Sequence, residues 1–290
     1  YIKEMLRLTF IGTSRVTLNE RPIDGFVSTI AVLLLAYLVL TKKAHTRHSL
    51  AGLFWPDDSE KKAKNSLRVA LSYLNKLLPD YDNGDRLVVS FVHEKPFLLD
   101  TAVFEQHRSQ TDVANLEAAA SLYRGDLLAE LDGSFSSQLA EWLAAQRTDW
   151  RQKGLALFNQ LAAHHLAQQH HQAAISTLQQ LLEFDPWQEA AHRQLMLAFG
   201  RTNQLAAALQ QFDSCRQQLA QAFKVEPMPE TAVLYERIRS ASQLSNPPIP
   251  QSSTPLIGRQ TELDKLLDWL ARPACRLITL IGLGGMGKTR

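Results

Sequence analysis

Cysteine is nearly absent: Cys215 and Cys275 stand far apart, with no neighbour at metal-ligand spacing. That sets aside a disulfide scaffold and a cysteine-held zinc site, and both thiols are expected to be reduced. Long apolar runs are lacking too. The run at residues 30–40 is eleven residues, short of the ~20 a membrane helix needs, and reads as a buried core helix. The start carries no secretory leader, which points to the cytoplasm. No nucleophile stands in a recognisable constellation with a base and an acid, so the chain itself is not expected to be an enzyme.

What is present suits a globular chain, 45% hydrophobic and 21% charged, with room for about two domains of ~100–200 residues. Net charge is only +2, yet it is unevenly spread. Residues 41–78 hold eight Lys and Arg against three Asp and Glu, whereas residues 101–245 hold 11 against 15. A short basic stretch in a balanced chain is the footprint that phosphate contact leaves.

The pattern along the chain is strands, helices, a further β element and then more helices. Residues 5–11 and 15–18 alternate like strands, with a polar turn at Asn19 and Glu20. Helices are expected over 28–42, 47–54 behind Thr46 as N-cap, and 59–78 before Pro79. Two apolar runs, 86–92 and 97–99, read as a small hairpin. Beyond residue 100 the pattern is almost wholly helical, with a repeat of 34 residues. Leu161 aligns with Leu195, His165 with Phe199, Ala174 with Ala208, Leu178 with Phe212 and Leu181 with Cys215. Residues 138–166 are expected to complete the stack. Four prolines in residues 245–255 mark a linker. The expected organisation is a winged helix at 1–100, a TPR-like helical domain at 101–244, the linker, and the start of a P-loop α/β NTPase at 256–290. The fold class is mainly α with small β elements. The start at Tyr1 and the end at Arg290, one residue past the phosphate motif, suggest a fragment.

Two motifs carry chemistry. On a helix over 59–78, Ala63, Leu67, Ala70, Leu71, Leu74 and Leu78 share one face. The opposite face presents Lys61, Asn65, Arg68, Val69, Ser72 and Lys76, flanked by Lys62. Lysines there suit phosphates, Arg68 suits guanine, Asn65 adenine and Val69 a thymine methyl. A solvated basic face of an ordinary amphipathic helix is the plainer alternative. The second motif, 282–289, fits G-x-x-x-x-G-K-[ST] after an apolar run at 276–281. Backbone N–H groups around Gly282, Gly284, Gly285 and Gly287 would close on phosphate oxygens. Lys288 would reach the β/γ-phosphates and the Thr289 hydroxyl would hold Mg²⁺. ATP or ADP with Mg²⁺ is therefore expected in a longer parent, where it would serve a slow ATPase switch, and no cofactor in this piece. His164, His165, His170 and His171 cluster without acidic or cysteine partners and read as solvated turn residues.

The run 34–38, the segment 47–57 (Arg47-His-Ser-Leu-Ala-Gly-Leu-Phe-Trp-Pro-Asp57), and 63–68 with Leu71 and Leu74 together resemble the winged helix of Streptomyces antibiotic regulatory proteins. Phe104-Glu105, Leu122-Tyr-Arg-Gly-Asp126, Glu141-Trp142, Asp185-Pro186 and 189–196 resemble the bacterial transcriptional activator domain that follows it. Leu256-Ile-Gly-Arg259 with the phosphate loop resembles the entry to a STAND-class ATPase. The resemblance implies a transcriptional activator that binds double-stranded promoter DNA as a pair on direct repeats. It further implies contact with RNA polymerase and gating by nucleotide. Arg68 and its face would enter the major groove, with Arg47 and His48 against the backbone. Trp55 and Pro56 would pack between helices. One departure is a short stretch at 87–99, which leaves Arg86, His93 and Lys95 as the wing's only candidates for DNA contact. The alternative is a nucleotide-dependent signalling ATPase whose winged helix and repeats bind proteins.

Overall fold

The computed structural model describes residues 5–23, 29–79, 81, 86–131 and 135–245, with positions 261, 262, 265, 266 and 269 beyond. The phosphate motif, Cys275 and the proline-rich segment lie outside the described residues. Contacts group Tyr1–Ile238 into one compact unit and Arg239–Arg290 into another. The sheets and the helices up to residue 238 belong to the first.

In β1 (Leu6–Thr9), Leu6 and Leu8 are buried while Arg7 is exposed, the alternation of a sheet with one covered face. β1 pairs antiparallel with β2 (Arg15–Leu18), which pairs with β3 (Arg21–Pro22). Asn19 and Glu20, at φ 51° and 65°, make the turn between β2 and β3 with both residues left-handed, as a primed hairpin turn requires.

Three helices follow. α1 (Thr29–Thr41) is apolar on every side and buried from Ala31 to Ala36, so it forms the centre of the first layer. α2 (Arg47–Phe54) starts where expected, with the Thr46 hydroxyl accepting from Ser49 N at 3.1 Å. α3 (Glu60–Leu77) buries Ala63, Leu67, Leu71 and Leu74, with Leu78 buried just past its end. Ala70 is only half-buried. No described helix is long and apolar enough to cross a membrane.

The hairpin expected after α3 does not form. β5 (Val88–Val89) pairs antiparallel with β4 (His45–Thr46), which precedes α2. β6 (Phe97–Leu99) runs parallel to β1 and completes a sheet of order β3-β2-β1-β6. The reason is packing. Phe91 between them is buried against Tyr81, His93 and Phe97, with ring centroids at 5.7, 5.1 and 5.1 Å. Burying that cluster turns the chain inward and sends each run to a different sheet.

β6 leads directly into α4 (Asp100–Arg108), and Asp100 ties the two layers together. One carboxylate oxygen accepts from Phe10 N and Ile11 N at 2.8 and 2.7 Å, and the other accepts from Thr101 N at 2.8 Å. After α5 (Val113–Leu122) an irregular segment returns to the first sheet. Gly12 N–H donates to Asp126 O, Leu128 N–H to Phe10 O and Ala129 N–H to Gly12 O. Gly12 has φ 86° and a Cβ there would meet Arg124 at 3.1 Å, so this crossing needs glycine. The Arg147 guanidinium secures the segment by donating to the carbonyls of Leu127, Leu128 and Leu131. A shared apolar core therefore runs across residue 100, where the sequence suggests a boundary.

The helical stack is α6 (Ser137–Ala167), α7 (His171–Phe184), α8 (Glu189–Arg201), α9 (Leu205–Phe223) and α10 (Pro229–Ser245). The 34-residue repeat is present in the hydrogen bonding as well as in the sequence. Gln169 and Asn203, 34 apart, have φ 59° and 58°. His170 N–H donates to His165 O and Gln204 N–H to Phe199 O, both at 2.8 Å. Each aligned pair is buried, including Ala174 with Ala208 and Leu181 with Cys215. Burial pushes the Cys215 thiol up to about 11, which leaves it unreactive.

Candidate nucleic-acid interface

α3 presents one face to the core and the other to solvent. Lys61, Lys62, Asn65, Arg68, Ser72 and Lys76 are all exposed, and Val69 is 56% exposed. Residues 61, 65, 68, 69, 72 and 76 follow helical spacing, so they form one stripe over roughly 22 Å of helix. α2 places Arg47 and His48 at its first turn, beside the start of α3. Arg47 is half-buried and its backbone N–H donates to Leu87 O at 2.9 Å, which joins α2 to the wing.

The charged groups on this surface are arranged by their neighbours. Glu60 Oε1 lies 2.6 Å from Lys64 Nζ and 3.4 Å from His48 Nδ1. The hydrogen bond from Lys64, then the charges of Lys64 and His48, hold the Glu60 carboxyl below its usual range. Lys62 bonds Asp58 at 2.6 Å. These pairs are solvent-exposed, so they orient side chains more than they stabilise the fold. Arg68 Nη2 donates to Asn65 Oδ1 at 3.0 Å, which holds together the two side chains best suited to reading bases and leaves other guanidinium N–H donors for a partner. Lys64 was not among the sequence candidates. Its signal was the Glu60–Lys64 spacing of four, the standard helix ion-pair register.

The stretch expected to form the wing makes no hairpin of its own, since β5 pairs with β4 and β6 with β1. Of its three candidates, Arg86 is exposed. His93 faces inward: Nδ1 lies 2.9 Å from Phe91 O and Nε2 3.3 Å from Val39 O, at the end of α1. Lys95 sits over the Tyr81 ring at 5.9 Å. Trp55 is partly buried, its ring 5.9 Å from that of the preceding Phe54, and Pro56 is exposed in the turn before α3.

The repeats buttress this surface from behind. Ser136 Oγ donates to Leu53 O in the last turn of α2, and Trp142 of α6 meets Tyr37 of α1 at 4.8 Å. The position of α2, and so of Arg47 and His48, depends on α6.

Of the histidine cluster, His170 is exposed in the turn as expected and His164 and His171 are partly exposed, whereas His165 is buried. His165 is 4% exposed on the last turn of α6, its ring beside those of His164 and His170 at 6.2 and 6.4 Å. The 34-residue register explains this, since His165 occupies the slot that buries Phe199. No group of three or more His, Cys, Asp or Glu able to hold a metal ion occurs among the described residues.

Known proteins share parts of this architecture. The bacterial transcriptional activator domain matches residues 99–239. The regulatory protein AfsR of Streptomyces griseus is 25% identical over 99% of this chain, which spans 32% of that protein's length. An uncharacterised WD repeat-containing protein of Nostoc sp. is 56% identical over 32 residues, 11% of this chain and 2% of its own length. Among solved structures, Mycobacterium tuberculosis EmbR in complex with low affinity phosphopeptide superposes with a TM-score of 0.56. That match covers 92% of this chain and 70% of EmbR at 19% identity, and establishes a likeness of fold.

Proposed function

We propose that this chain is the promoter-binding part of a cytoplasmic bacterial transcriptional activator, with α3 as the helix that enters the major groove. The observation that carries the reading is the exposed α3 stripe from Lys61 to Lys76, in a chain whose following segment matches the activator domain. The major groove is about 12 Å wide and admits one helix. With α3 in it, Arg68 pairs with guanine, Asn65 with adenine, and Val69 meets a thymine methyl, while Ser72 takes either base or phosphate. Lys61, Lys62, Lys76, Arg47 and His48 neutralise phosphates and set the register. The repeats support pairing on direct repeats and contact with RNA polymerase. In a longer parent the loop ending in Lys288 and Thr289 holds ATP or ADP with Mg²⁺ and acts as the switch.

The test is a random-oligonucleotide selection with the full 290-residue chain at fixed salt, run beside Arg68→Ala and Lys76→Ala. An enriched motif is expected. Arg68→Ala relaxes one position of it and costs about 1–3 kcal/mol, whereas Lys76→Ala weakens all sequences alike and lowers the salt slope by about one. Uniformly weak binding by all three proteins overturns the reading. It favours instead a signalling ATPase whose winged helix and repeats bind proteins, a reading supported by the lack of a hairpin at residues 86–99.

A further inference from the structure

A second surface lies on the repeats, away from the α3 stripe in sequence. An open groove is bounded by α7 and α9, with His192 and Leu195 of α8 in its lining. Its polar lining is largely amide, with Gln179, Gln211 and Gln218 contributing. Gln211 is held in place by His192, whose Nε2–H donates to Pro186 O at 2.9 Å while Nδ1 accepts from Gln211 Nε2 at 2.6 Å. Glu183 supplies the groove's carboxylate.

At Pro186 the groove meets an apolar shelf. Trp187, the next residue, is 43% exposed, and its ring meets Phe223 edge-on at 5.6 Å, itself 57% exposed. Met228, 56% exposed, is tied to the start of α8, where its backbone N–H donates to Glu189 Oε1 at 2.7 Å. Two large aromatic rings in contact while half in water, with the exposed Met228 tethered to Glu189, two residues along from Trp187, mark a binding surface more often than chance exposure. Along the chain Glu183, Asp185, Glu226 and Glu230 stand against Lys224, while the nearby Arg193, Arg216 and Arg151 are paired with Glu189, Asp213 and Asp126.

From this juxtaposition we infer that the groove and shelf dock an extended segment of a partner protein, with an apolar anchor on Trp187 and Phe223 and a flanking Lys or Arg at Glu183. Amide side chains offer both a donor and an acceptor, which suits a peptide backbone. The carboxylates of this stretch select a basic segment over an acidic one. The surface is separate from the proposed DNA contact, and the two fail in different assays.

The test is methyl-detected NMR of the full chain titrated with acetyl-Ala-Lys-Leu-Lys-Trp-Lys-Ala-amide, and with the same peptide carrying Glu for every Lys. The basic peptide should shift the Met228, Leu182 and Leu195 methyls saturably, with Kd of about a millimolar or tighter. Trp187→Ala, at a half-exposed position outside the core, and Glu183→Lys should each weaken it about ten-fold or more. Methyl resonances far from the groove report that each variant remains folded. Absence of shifts up to about twice that concentration, or equal shifts from the acidic peptide, overturns the inference. So does a shift that depends on protein concentration alone, which reassigns the shelf to self-association.

Discussion

Replacing Gly154 with alanine should destabilise the stack, although alanine is the better helix former. Gly154 is buried within α6. A Cβ there would stand 2.3, 2.5 and 2.7 Å from Cε2, Cζ and Cδ2 of Tyr123. Carbon atoms sit comfortably at ~3.5–4.0 Å, so the ring would have to withdraw by roughly an ångström or more. Its neighbours oppose that: Phe184 meets it at 4.9 Å, Phe158 at 6.0 Å and Phe104 at 6.1 Å between centroids. Overpacking of this kind costs ~1–3 kcal/mol, while removing a helical glycine returns ~1 kcal/mol. With the ring held on several sides the upper figure applies, for a net loss of about 2 kcal/mol. Urea unfolding followed by far-UV circular dichroism should show a lower midpoint with an unchanged slope. Gly200→Ala is the control, since a Cβ there meets nothing within 4 Å, and it should be neutral or stabilising by up to ~1 kcal/mol. A Gly154→Ala midpoint at or above that of the parent chain would refute the overpacking.

Asp100→Ala should cost about 3 kcal/mol. It strips the acceptor from three backbone N–H groups at ~1–3 kcal/mol per orphaned donor, offset by relief of a carboxyl that burial holds above its usual range. Asp100→Asn, which keeps one oxygen for Phe10 and Ile11, should lose roughly a third of that; equal losses for both, read from denaturant midpoints, would count against the clamp. Acid should also weaken the repeats. Burial holds the His192 imidazole below its ordinary value, so the unfolded chain takes up the proton first. The contribution is intact above the unfolded pKa of about 6.5 and is lost as pH falls toward the depressed folded value, at no more than ~1.4 kcal/mol per pH unit. Tm should fall between about pH 7 and 5, and His192→Gln should flatten that slope; an unchanged slope would remove His192 as its source.

The helices were legible because their signals are local. Thr46 before Arg47, the apolar spacing of Ala63, Leu67, Leu71 and Leu74, and the 34-residue register all act within a few turns of chain. The exposed face of α3 followed from the same periodicity by subtraction. The partners of β5 and β6 were not legible. Runs of two and three residues carry no pairing preference of their own, and the choice was made by Phe91, which joins Tyr81, His93 and Phe97 in one cluster. The burial of His165 is hidden in the sequence for a related reason. A polar residue beside a helix end looks solvated until its repeat partner, Phe199, is given weight over its side-chain chemistry.

The position of Asp100 bears on how any DNA reader in this chain is held. The residue starts α4, yet its carboxylate binds backbone at the end of β1, and the following irregular segment crosses back to the same edge through Gly12. α6 then contacts the end of α2 through Ser136 and α1 through Trp142. A three-helix unit braced at both its sheet and α2 is held in place against the repeats. A signal that changes the packing of α6 would therefore reach Arg47 and His48 through α2 with few steps between. On the proposed reading of α3, a signal carried by the repeats would act through a shift of α6 relative to α2, because Ser136 and Trp142 join α6 to α2 and α1.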